Sequence, residues 1–238
     1  MNKPKMILFD YGQTLVAEER FDGVKGTSAV ISHAVENKYN LTAAEVQKEA
    51  EAINKELKRF DPIMRAENTV EIPNHMFTKY LYESQGIKLD LSAEEIDRIF
   101  WDAASPGKPS DGIQEFLDYL WANNIRTAVL SNITYAGSVV EERINRLFPD
   151  NHFEFILATS EYLFRKPNPR IFKFALDKAG LAPKDVWYVG DNYACDVVGA
   201  RNSGMFPVWY LGAVDFDQPD HDDVTKITSW SELKEMLK

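Results

Sequence analysis

Cysteine is nearly absent: Cys195 stands alone among 238 residues, so the chain closes no internal disulfide. That usage fits a reducing cytoplasm. Long apolar runs are missing too. A stretch such as Met6-Ile7-Leu8-Phe9 is far short of the roughly 18–20 residues that span a bilayer. The opening Met1–Lys5 leads into only four apolar residues before Asp10, so no signal peptide is expected. An excess of basic charge is also lacking, since 37 Asp and Glu face 27 Lys and Arg, a net charge of −10. Nucleic-acid binders draw most of their non-specific affinity from a basic face, which argues against a polyanionic partner. With 12 Gly and 11 Pro the chain is neither collagenous nor a low-complexity linker. What remains, 45% hydrophobic and 27% charged, is the composition of a globular domain large enough to carry an insertion.

Two textures alternate along the chain. From Lys108 onward short apolar strands, Thr127–Leu130, Phe153–Ala158, Val186–Val189 and Pro207–Tyr210, alternate with helical patterns. The helices are read over Asp111–Asn123, from Pro169 to the stop at Gly180, and over Cys195–Ser203. Met6–Phe9 reads as another buried strand of the same sheet. This rhythm predicts an α/β fold, a Rossmann-like parallel sheet with helices on both faces. Between strand one and Lys108 no convincing strand is visible. Thr42-Ala43-Ala44-Glu45 and Ser92-Ala93-Glu94-Glu95 instead match the S/T-x-x-E capping box. The expected organisation is a core of residues 1–16 and 107–238 with an inserted all-helical cap domain over 17–106.

In parallel sheets of this kind ligands bind beyond the carboxyl ends of the strands. Strand one ends at Asp10, within Asp10-Tyr11-Gly12-Gln13-Thr14-Leu15, and Thr127–Leu130 ends at Ser131-Asn132. Arg165-Lys166-Pro167-Asn168-Pro169 precedes one helix. Val186–Val189 ends at Gly190-Asp191-Asn192, with Asp196 five residues after Asp191. Three carboxylates, a lysine and a small hydroxyl thus converge on one rim. Ser131 would alternatively be a plain helix N-cap, and Lys166 a solvated lysine.

Four strings in this order resemble the haloacid dehalogenase superfamily, most of whose members are phosphatases acting through an aspartyl-phosphate. Asp10 with Thr14-Leu15 resembles the D-x-D-x-T-L/V motif, and Val129-Leu130-Ser131-Asn132 the second motif. Arg165-Lys166-Pro167-Asn168-Pro169-Arg170-Ile171-Phe172 is similar to the lysine motif. Gly190-Asp191 with Asp196 and Gly199-Ala200 is similar to the fourth. The resemblance implies Asp10 as nucleophile and Mg²⁺ held by Asp10, the Gly12 carbonyl and Asp191, with Asp196 supporting the metal or the lysine. It further implies phosphoryl binding by Thr14, Ser131, Asn132 and Lys166, and a small phosphorylated metabolite as substrate. The chemistry is coherent, because a carboxylate approaching a phosphate dianion meets a repulsion of roughly 4 kcal/mol per charge pair at about 4 Å. A divalent cation and a lysine relieve it.

The chain departs from that pattern at Gly12, where most phosphatases of the superfamily carry the aspartate that protonates the leaving group. Gln13 follows where glycine is usual. Dehalogenase and phosphonatase members also lack that aspartate, so C–X or C–P hydrolysis is the competing enzyme class, and a binding member with impaired turnover the third. Glu18, Glu19 and Arg20 at the passage into the insertion are expected to be solvated, although Glu18, Glu19 and His33 are the first candidates should another group replace the missing acid. His75, His152 and His221 show no metal-ligand spacing. The acidic run Asp215–Asp223 lacks the glycine and glutamate of a calcium loop.

Overall fold

A computed structural model describes residues 3–60, 69–214 and 221–238. Its strands are β1 (Met6–Phe9), β2 (Val16–Glu18), β3 (Ala34–Asn37), β4 (Ile87–Leu89), β5 (Gly107–Pro109), β6 (Arg126–Ser131), β7 (Phe153–Ala158), β8 (Val186–Gly190), β9 (Phe206–Tyr210) and β10 (Thr225–Ile227). Six of them form one parallel sheet in the order β10-β9-β8-β1-β6-β7. The expected α/β, Rossmann-like core is therefore present. β1 lies at its centre because all four of its residues are apolar and can be buried on both faces. Ile7 and Phe9 join one hydrophobic cluster with Val129 and Val189, while Met6 and Leu8 join another with Leu130 and Tyr188. Consecutive side chains of a strand point to opposite faces, so one short run feeds two cores.

The strand order reverses at β1, which pairs with β6 on one side and β8 on the other. Phe9 is level with both Val129 and Val189. The residues just beyond, Asp10, Ser131 and Asp191, therefore emerge at one edge, in the crevice where such a sheet binds ligands.

Several local expectations need correction. The insertion is not all helical: β3 and β4 pair antiparallel within it, and β2 pairs with β5 where the chain leaves and re-enters the core. β3 escapes a pattern search because its residues are only half-buried or exposed. Among the described residues the insertion's helices are Gly23–Ile31, Ala43–Glu56, Asn74–Ser84 and Ala93–Ala104, and both expected capping boxes form, at Thr42 and at Ser92. They share their own core of Val30, Val46, Leu81, Tyr82, Ile87 and Ile96. The helix expected from Cys195 begins earlier, as a π turn at Tyr193–Val198 before Gly199–Asn202. Ser131 caps no helix: it ends β6, and the next helix, Gly137–Leu147, follows Ala136. The first six residues of the acidic run, 215–220, lie outside the described residues.

Candidate active site

Asp10 leaves β1 with its N–H donating to the Val189 carbonyl at 2.9 Å, which fixes it at the switch in strand order. Lys166 is the charged centre of this edge. It is 1% exposed, not a solvated lysine. Its ammonium stands 2.9 Å from Asp10 Oδ1, off the angle of a hydrogen bond, and donates to Asp196 Oδ1 at 2.6 Å and to Tyr188 Oη at 2.7 Å. Tyr188 in turn donates to the Leu130 carbonyl at 2.7 Å. The Asn132 side chain brackets the lysine's own backbone, accepting from Lys166 N–H at 2.7 Å and donating to Lys166 C=O at 2.9 Å. The Asn132 amide is thus committed to positioning Lys166.

Asp196 is held from the opposite side, its Oδ2 accepting from Asn192 N–H at 2.9 Å. Glycine at 190 is required for this, because a Cβ there would stand 2.3 Å from Asp196 Cγ. Asp191 has its main-chain carbonyl pinned by Trp209 Nε1 at 2.7 Å. Asp10, Asp191 and Asp196 each offer an oxygen within 4.8 Å of the others.

Three carboxylates face one ammonium, and the protonation equilibria reflect it. Burial, then the charges of Asp10 and Asp196, hold the Asp191 carboxyl well above the usual carboxylate range. Burial pushes Asp196 up to about 6 even though Lys166 pulls it down. Burial alone would lower the Lys166 pKa, but Asp10 and Asp196 outweigh it and the lysine stays charged. The donor set is all hard oxygen and short of positive charge, which fits a small divalent cation.

Asp10, Gly12, Ser131 and Asn132 line one cleft of about 670 Å³. Thr14 does not: it is fully buried, and its Oγ1 has no hydrogen-bond partner among the described residues. His33 is exposed and absent from the cleft lining. Glu18 overturns its expected solvation. Its side chain is 18% exposed, and Oε1 accepts from Trp101 Nε1 at 2.9 Å and lies 3.6 Å from Arg143 Nη2. Burial, which outweighs Arg143, pushes this carboxyl up to about 7. Arg143 is 4% exposed and donates to Tyr11 Oη, Asp102 Oδ1 and the Ser105 carbonyl at 2.6–2.8 Å. Gln13 adopts φ 51, the left-handed region in which glycine is at ease, and its side-chain amide donates to the Glu18 carbonyl at 3.0 Å.

Sequence reasoning brought Asp10, Ser131, Lys166, Asp191 and Asp196 to this edge, and the structure gathers them there. It overlooked Tyr188, Trp101 and Arg143. Tyr188 reads as one more apolar strand residue, and the other two lie 83 and 125 positions from the glutamate they hold.

The chain belongs to the haloacid dehalogenase-like hydrolase family, whose model matches residues 4–204. It is 34% identical over 116 residues to haloacid dehalogenase-like hydrolase domain-containing protein 3 of Homo sapiens, covering 49% of this chain and 45% of that protein. That match spans about half of each chain. With the pyrimidine 5'-nucleotidase YjjG of Escherichia coli it shares 27% identity over 235 residues, 97% of this chain and 96% of that one. Among solved structures, a HAD phosphatase of Thermococcus onnurineus superposes with a TM-score of 0.66 at 18% identity, over 98% of this chain and 97% of the other. At that identity the likeness concerns the fold. Among the described residues no helix is long and apolar enough to cross a membrane.

Proposed function

We propose that this hydrolase is a Mg²⁺-dependent phosphatase of small phosphorylated metabolites, with Asp10 as the nucleophile. One observation carries the reading: Asp10 emerges from the central strand beside the buried Lys166 ammonium, within 4.8 Å of two further carboxylates. Asp10, Asp191 and the Gly12 carbonyl would hold the cation, with Asp196 beside them. When bound, the cation would neutralise phosphoryl charge and so lower the repulsion between carboxylate and phosphate.

The chain's own groups account for the rest. The lysine's contacts with Asp10 and Asp196 fix the nucleophile's rotamer and bring a positive charge to the phosphoryl oxygens. Ser131 Oγ and nearby backbone N–H groups donate to those oxygens. A carboxylate oxygen of Asp10 attacks phosphorus and the ester oxygen departs, leaving an acyl phosphate that water later cleaves at phosphorus. The relatives named for phosphatase and nucleotidase activity support this substrate class. A cleft of this size suits a small molecule. We further propose that the helical segment, residues 17–106, acts as a cap that sets specificity, since Glu19, Arg20 and Trp101 reach the cleft from it. A reducing, intracellular setting is consistent with the single thiol.

One observation favours C–X or C–P hydrolysis, the missing side chain at Gly12. Asp10→Asn tests the phosphatase reading. The fold should persist, and Mg²⁺-dependent hydrolysis of aryl phosphates should fall at least a thousandfold, a barrier increase of about 4 kcal/mol. Retention of a tenth of the wild-type rate sinks the assignment. Metal-free release of halide, with no phosphatase activity, would hand the site to the competing reading.

A further inference from the structure

We infer that Glu18 is the general acid and base of this site, delivered from the connecting strand into the space left open by Gly12. The inference rests on the phosphatase reading above. A Cβ built on Gly12 would stand 3.1 Å from Glu18 Oε2, so this carboxylate oxygen already reaches the place where a side chain at position 12 would begin. Its orientation is fixed from behind. Oε1 accepts from Trp101 Nε1 and faces Arg143, while no hydrogen bond from a described residue reaches Oε2, the oxygen turned toward Gly12. The backbone is shaped to the same end. Gln13 turns left-handed, its amide holds the Glu18 carbonyl, and Glu18 pairs with Gly107 in the β2–β5 ladder. Glu18 and Asp10 line the same cleft.

The steps balance. As Asp10 attacks phosphorus and the P–O bond to the leaving group breaks, the Glu18 carboxyl gives its proton to the departing oxygen. The products are a neutral alcohol, the acyl phosphate and a Glu18 carboxylate. That carboxylate then takes a proton from water as the water oxygen attacks phosphorus, releasing phosphate and restoring Asp10 and the Glu18 carboxyl.

Glu18→Gln keeps the shape and the oxygen that accepts from Trp101. With wild type and variant on a series of phosphate esters graded by leaving-group pKa, wild-type rates should vary little. The variant should lose 10²–10⁴-fold on alkyl esters and less than about tenfold in the first turnover of aryl esters. Acid-quenched variant turning over an aryl phosphate should gain the mass of one phosphoryl group, because breakdown of phospho-Asp10 has lost its base. Gly12→Asp in a Glu18→Ala background should recover alkyl-ester hydrolysis, returning the acid to position 12. A uniform loss across the series without phosphoenzyme, in a variant that melts like wild type, overturns the role of Glu18. So does a wild-type series already steep in leaving-group pKa. Absence of hydrolysis of every ester by wild type removes the phosphatase reading itself, and the Glu18 assignment with it.

Discussion

The two walls of the cleft are built differently. On the Lys166 side every contact comes from the α/β core: Asp10, Tyr188 and Asp196 surround the ammonium of a residue that is 1% exposed, and Asn132 holds its backbone. On the Gly12 side the acidic group stands on a connecting strand, and its partners come from both layers. Trp101 is supplied by the helix Ala93–Ala104, and Arg143 by the core helix Gly137–Leu147. The first wall is preorganised by the sheet and, on the proposed phosphatase reading, would hold the part common to all phosphate esters. The second draws Trp101 from the helical layer and, on the same reading, would meet the part of the substrate that varies.

Lys166→Met should break the first wall with the largest effect. It leaves Asp10 and Asp196 without their cation in a buried setting, a loss of about 3–5 kcal/mol in urea unfolding at neutral pH, together with loss of turnover. The loss should shrink in acid as the carboxylates take up protons. The same crowding of acids gives metal-free wild type a definite pH response. Folded-state values of about 6 for Asp196 and about 7 for Glu18 lie above the ordinary 3.8 and 4.5. The folded chain therefore binds protons that the unfolded chain has released, and stability rises as pH falls through about 7 toward 4.5. The rise should be visible in thermal or urea melts, and Mg²⁺ should flatten it by holding the acids ionised. A metal-free chain that grows less stable over that interval would contradict the crowding. On the second wall, Trp101→Phe removes the donor that aims Glu18 while keeping the ring. A fall of about tenfold in kcat on alkyl esters, with a stability change near 1 kcal/mol, is expected. An equal fall on aryl esters would show that Trp101 acts on the cleft's shape instead.

The same contrast governs how much the sequence discloses. Met6–Phe9 and Val186–Val189 are legible as strands because a central parallel strand must be apolar on both faces. The helix from Pro169 to Gly180 is legible because its ends carry local stop and start chemistry. Asp10, Ser131, Lys166 and Asp191 follow from the rule that parallel strands present ligands at their carboxyl ends. β10 and the helix Trp230–Met236 escape notice, since Thr225-Lys226-Ile227 is an edge strand with one fully buried residue. Glu18 is legible only as one of three candidates for a substitute acid, beside Glu19 and His33, and is otherwise expected to be solvated. Its burial depends on Trp101 and Arg143, and no spacing rule links residues brought together by the docking of two layers.

The 3.1 Å between Glu18 Oε2 and the absent Cβ of Gly12 also constrains the ancestry of this site. The two positions crowd one another, so, with Glu18 as the acid, a single substitution at either leaves the cleft with two crowded acids or with none. Passage between the two arrangements is then an epistatic, paired event. Among relatives, residues 12 and 18 should covary, aspartate at the first accompanying a residue other than glutamate at the second.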